Sequence, residues 1–175
     1  MNSLQEKINQ DLKKAFVGKE ELTVSVLRML NSAIHNKEIE KRTKLSKTPS
    51  FAKASEDKEK LEKLKQESRL AEEEVLDVVS SEAKKRKDSI EEFKKGGRQD
   101  LADKETKELE ILKKYLPEQM GEEQIREKVK KVIAEVGAAG PKDTGKVMSA
   151  LMPKLKGKAE GGIVSKIVGE LLKGE

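Results

Sequence analysis

Cysteine and tryptophan are absent from this chain of 175 residues, and one tyrosine and three phenylalanines are its only aromatics. Without thiols there is no disulfide, no thiolate metal site and no cysteine nucleophile. His35 is the single histidine, too little for a histidine-based metal or proton-relay cluster. No apolar run approaches the roughly 20 residues that a membrane-spanning helix needs, and the N-terminus lacks an apolar signal core. These absences lead us to expect a cytoplasmic protein with no membrane partner, no metal and no cofactor.

Charge and helix-forming residues are what the chain has in quantity. Charged residues make up 41%, and the net charge of +5 is the small difference between 38 basic and 33 acidic side chains. Most charges therefore offset one another, so the overall balance says little about a nucleic-acid partner. Lys, Glu, Leu and Ala dominate while β-branched runs are short, which predicts an all-α fold. A chain of this length can bury one modest core, or two small ones joined by a linker.

Periodicity divides the chain. Ser3 with Glu6 reads as a capping box, followed by an apolar face of Leu4, Ile8, Leu12, Ala15 and Phe16 that Gly18 ends. A second helix starts near Glu20 and carries Val26, Leu27, Leu30, Ala33 and Ile34. From Glu40 to Glu72 the pattern fades, Thr48-Pro49-Ser50 interrupts it, and Leu61 and Leu64 look too sparse for a core-facing helix. A charged insertion at 43–69 is expected there, flexible or partly helical over 57–70. The third helix shows a stripe of Leu76, Val79, Ala83, Arg86, Ile90 and Phe93, ended by Gly96-Gly97. Arg86 on that stripe is better explained by a salt bridge or snorkelling than by RNA contact. A fourth helix carries Leu101, Leu109, Leu112 and Leu116 and stops at Pro117. Tyr115 is expected to pack across the domain boundary rather than stack on a base. The prediction is a helical hairpin or bundle over 1–117, a hinge at Pro117 to Gly121, and a small three-helix unit over 121–175.

The chemistry of catalysis finds no purchase in these residues. Gly140 to Lys146 matches seven positions of a phosphate-binding P-loop. The next residue, Val147, cannot ligate magnesium, Pro141 removes an N–H, and a helix precedes where a strand is needed. Carboxylate pairs such as Glu122-Glu123 sit in charged helical segments with nothing to desolvate them. Ser165 has no neighbouring base. No catalytic residue is assigned.

The C-terminal segment is more informative. Pro141 suits a helix start and Pro153 is expected to stop that helix near Met152. From Lys142 to Lys158 five lysines stand against one acid, Asp143. Lys154, Lys156 and Lys158 are expected to line a loop, with Gly157, Gly161 and Gly162, that feeds a last helix bearing Val164, Ile167, Val168 and Leu171. A basic loop entering a helix N-terminus can hold an anion; a solvated turn between packing helices is the equal alternative. The candidate nucleic-acid-binding residues are Lys142, Lys146, Lys154, Lys156, Lys158 and Lys166.

Gly145-Lys146-Val147-Met148 and Met152-Pro153-Lys154-Leu155-Lys156-Gly157-Lys158-Ala159, read with Ser25-Val26-Leu27-Arg28-Met29-Leu30, Lys85-Arg86-Lys87-Asp88-Ser89-Ile90 and Tyr115-Leu116-Pro117-Glu118-Gln119, resemble the GatB/YqeY family. That family shares its C-terminal part with the tail of the B subunit of the glutamine-dependent aminoacyl-tRNA amidotransferase. The insertion at 43–69 departs from it. The resemblance implies tRNA or another structured RNA as partner, with amidotransferase subunits or an aminoacyl-tRNA synthetase as protein partners, while the family's ammonia-releasing chemistry belongs to domains that this stretch does not match. Three functions stay open: an RNA-binding helical protein, an accessory of glutamine-dependent tRNA amidation, and a protein-interaction adaptor using the helix from Leu76 to Phe93. Residues 121–175 contain no aromatic, so contact with folded RNA through its backbone suits them better than base stacking.

Overall fold

The computed structural model describes residues 3–49 and 57–173. Eight α-helices and a 3-10 turn make up the regular structure of the described residues, with no strand among them. The chain folds as two units, Met1–Tyr115 and Leu116–Glu175.

In the first unit α1 (Leu4–Val17) opens on the Ser3–Glu6 capping box, in which each residue's backbone N–H donates to the other's side chain. A tight turn through Gly18 and Lys19 leads to α2 (Glu21–Ser46). Lys19 takes the left-handed conformation, φ 55°, which a β-carbon disfavours. After α2 come α3 (Lys58–Glu67), α4 (Glu72–Lys95) and α5 (Gln99–Lys113). Helices α1, α2, α4 and α5 pack on one another. Ile8, Leu27, Leu30, Ile34, Val75, Val79, Ala102 and Leu112 are fully buried in this unit.

Several expectations are corrected here. Helix α2 does not fade at Glu40 but runs to Ser46, because Leu45 finds a partner: Leu64 of α3 is buried and packs against it. A two-leucine contact pins α3 although the flanking residues are almost all charged. Asp57 caps α3 by accepting the N–H groups of Glu59 and Lys60. The part of the expected insertion at 50–56 lies outside the described residues. On α4 the core face contains Val75, with Leu76 only half-buried. Steps of four from Val75 through Val79 to Ala83 satisfy the helix as well as a step of three from Leu76 does, so spacing alone leaves the first member open.

Arg86 forms a salt bridge, as the residue pattern suggests. Its Nε lies 3.0 Å from Glu108 and 3.4 Å from Glu105, both on α5, with all three side chains at most 19% exposed. Neither Arg86 Nε nor Glu105 Oε2 makes an aligned hydrogen bond, so charge rather than directed bonding holds the cluster. Tyr115 has partners inside the first unit. It packs within its own unit, its hydroxyl donating to Asp11 of α1 at 3.0 Å and Lys7 Nζ lying 5.7 Å from the ring centroid.

The second unit comprises α6 (Glu122–Val136), the 3-10 turn Pro141–Asp143, α7 (Thr144–Leu155) and α8 (Gly161–Lys173). Its core is Ile125, Val129 and Val132 of α6, Val147, Leu151 and Leu155 of α7, and Val164, Ile167, Val168 and Leu172 of α8. Leu172 takes the deep position expected of Leu171, again a step of four in place of one of three. Gly137, φ 64°, ends α6 in the left-handed conformation that suits a residue without a β-carbon. Among the described residues no helix is long and apolar enough to cross a membrane.

A candidate nucleic-acid interface in the C-terminal unit

Pro141 starts the 3-10 turn, where its missing N–H costs nothing, and Asp143 accepts the Ala139 N–H at 2.9 Å. This turn leads directly into α7. Contrary to expectation, α7 passes through Pro153 and ends at Leu155. The proline forfeits one backbone bond in the last turn, and full burial of Leu155 offsets that loss. Lys154 is therefore helical, and the loop begins only at Lys156. Glycines 161 and 162, expected in the loop, form the first turn of α8.

The short loop is tied to the segment before α6. Gly157 takes φ 72°, and its carbonyl accepts the Gln119 side-chain amide at 2.6 Å. The Lys158 carbonyl accepts the Met120 N–H at 2.8 Å. Two bonds thus hold the backbone of Lys158 beside α6.

The six expected lysines do not form one site. Lys146 donates to the Val136 carbonyl at 2.6 Å, satisfying the C-terminal end of α6. Lys154 pairs with Glu135 of α6 at 2.7 Å. Lys156 is also engaged within the fold. Lys142 lies in the 3-10 turn and Lys166 on α8, away from the loop hollow. Lys158 is the member that the structure places in a recess. It joins Lys128 and Lys131 of α6, with Gln119, Gln124, Glu118 and Glu127, around a hollow of about 570 Å³. None of these three lysines makes an ion pair within the described residues.

Lys128 and Lys131 escape a reading of α6 for its apolar face alone. The signal is present: Gln124, Glu127, Lys128 and Lys131 follow steps of three and four on a face flanking the stripe of Ile125, Val129 and Val132. Three ammonium groups on long stems, beside two side-chain amides, can contact phosphate oxygens from several directions without selecting a base. Among the described residues no three His, Asp or Glu side chains come together as metal ligands.

Comparison with known proteins adds a second line of observation. The Yqey-like protein family matches over residues 5–53 and 50–172. The chain is 33% identical over 136 residues to Altered inheritance of mitochondria protein 41, mitochondrial, of Lachancea thermotolerans, covering 77% of this chain and 60% of that one. It is 36% identical over 108 residues to the protein of the same name from Kluyveromyces lactis, covering 62% of this chain and 45% of that one. For the Saccharomyces cerevisiae protein the identity is 34% over 106 residues, 61% of this chain and 44% of that one. The chain spans about half the length of these curated relatives. Their names overturn the cytoplasmic expectation, since all three are mitochondrial proteins. The absence of membrane-length apolar runs, on which that expectation rests, does not distinguish one aqueous compartment from another.

Proposed function

The chain belongs to the Yqey-like protein family, and from that premise we propose that it binds tRNA or a similarly folded RNA through the basic hollow of its C-terminal unit. The observation that carries this reading is the convergence of Lys128, Lys131 and Lys158 from two elements, each without an ion-pair partner among the described residues. Glu118 and Glu127 offset part of this charge, but the three lysines leave the lining net positive, and a polyanion that meets them releases its own counterions. The absence of any aromatic from residues 121–175 directs this unit to backbone and shape rather than to base identity. Lys142 and Lys166 add cationic surface outside the hollow. The relatives' compartment comes with the same reading: the protein works in mitochondria, on RNA of that compartment. Its part in amidation is that of a binding accessory, with chemistry supplied by a partner.

Lysine footprinting tests the assignment of residues. Bound tRNA should shield Lys128, Lys131 and Lys158 from acetylation, while Lys154 stays equally reactive with and without RNA. Unchanged reactivity at all three under saturating tRNA would remove the hollow from the interface.

A second reading has one observation in its favour. A groove of about 890 Å³ runs between α2 and α4, with Met29, Ala33 and Val78 among its lining residues. It would serve a protein-interaction adaptor, and retention of a folded chain on amidotransferase subunits in the absence of RNA would favour it.

A further inference from the structure

Phe16 is one of only four aromatic residues in the chain, yet it is 64% exposed, and the adjacent Val17 is 82% exposed. The turn that follows holds this arrangement at a conformational cost: Lys19 adopts φ 55°, with its N–H donating to the Phe16 carbonyl. Leu12, Phe16 and Val17 form the apolar part of a hollow of about 310 Å³, completed by Lys13 of α1 and Arg28 of α2. The Arg28 guanidinium carbon lies 5.8 Å from the Phe16 ring centroid. Neither Lys13 nor Arg28 makes an ion pair within the described residues, and no carboxylate lines the hollow.

We propose that this hollow is a stacking site for one unpaired RNA base, with Phe16 under the base and Lys13 and Arg28 on the flanking phosphates. A ligand for it must be flat and apolar where it meets Phe16 and anionic at its edge, which describes a nucleotide. The volume holds a single ring system, too little for the successive anchors of a docked helix. Cations on both helices favour a strand whose backbone passes alongside the ring. The proposal rests on the RNA reading but on different residues, in the other unit. It supplies what the C-terminal unit lacks, an aromatic contact for a single-stranded segment.

The chain contains no tryptophan, so Phe16→Trp creates a unique fluorescent reporter. The probes are a short single-stranded oligoribonucleotide and an intact tRNA, titrated against the full chain. Stacking should quench the reporter with either probe. Phe16→Ala should weaken oligonucleotide binding roughly 5- to 150-fold, the range for losing one stacked base. Arg28→Gln should flatten its salt dependence by about 0.7. Because Phe16 is exposed, folding of these variants is expected to hold, and circular dichroism checks it. Unquenched emission at saturating RNA, or wild-type affinity in folded Phe16→Ala, overturns the proposal. So does a Phe16→Ala variant that loses a protein partner while RNA binding is intact. Quenching that persists when Lys128, Lys131 and Lys158 are replaced supports an independent site, even where tRNA affinity has fallen. Loss of quenching in that folded variant would mean that no separate platform exists.

Discussion

Tyr115 is held by the bond from its hydroxyl to Asp11 and by the packing that surrounds its ring. Burial, then the neighbouring Asp11 carboxylate, keep the phenol proton on and raise its pKa above the ordinary 10.0. The unfolded chain therefore releases this proton at a lower pH than the folded chain does. Stability contributed by Tyr115 is fully present below pH 10.0 and is lost as pH rises beyond it. Tyr115→Phe should cost about 1–2 kcal/mol at neutral pH through the lost bond. Urea titrations of both proteins between pH 8 and 11 should show the gap narrowing at the alkaline end; a constant gap would contradict this account of the phenol. Lys19 gives a prediction of the opposite sign. Its left-handed backbone is disfavoured for a residue with a β-carbon, so Lys19→Gly should stabilise the first unit by about 0.5–1 kcal/mol in the same assay. Destabilisation would show that the Lys19 side chain contributes more than its backbone conformation costs.

At the scale of elements, the α4–α5 pairing contains a charge cluster that has to be complete. Arg86→Met would leave Glu105 and Glu108 facing each other with little exposure, at a cost of about 3–5 kcal/mol. Adding Glu108→Gln should recover part of it. Equal midpoints for wild type and Arg86→Met in urea unfolding would refute that role. Among the described residues the apolar packing of α3 centres on the Leu64–Leu45 contact, so Leu64→Ala should cost about 1.5–3 kcal/mol of local stability. Hydrogen exchange should then accelerate across 58–67 while the α4 amides keep their protection; uniform acceleration would mean that α3 is integral to the main core. These elements also show how far the sequence can be read. Helical content follows from Lys, Glu, Leu and Ala, and the core faces are legible to within one residue except on α1, where Phe16, expected on the apolar face, is 64% exposed. Val75 against Leu76, and Leu172 against Leu171, are the positions at which steps of three and four both fit. The end of α2 and the burial of Leu64 are not legible, because one distant leucine partner decides both. Pro153 misleads for a related reason: a local rule about backbone bonding yields to the burial of Leu155 two residues later.

At the scale of the molecule, the candidate site is legible as a basic C-terminal segment but not as a set of residues. Charge density along the chain cannot reveal that Lys146 and Lys154 are already committed to Val136 and Glu135, or that Lys158 joins two lysines of α6. The RNA reading of this Yqey-like chain therefore rests on the hollow and on unpaired charge, not on the count of lysines. A salt titration of tRNA binding tests it most directly, comparing wild type with the Lys128→Ala, Lys131→Ala, Lys158→Ala variant and with Lys146→Ala, Lys154→Ala. The first variant should bind more weakly and flatten the slope of log affinity against log salt by roughly 2–3, about 0.7–0.9 for each lost phosphate contact. The second should keep the wild-type slope. A folded triple variant with wild-type affinity and an unchanged slope would contradict the account.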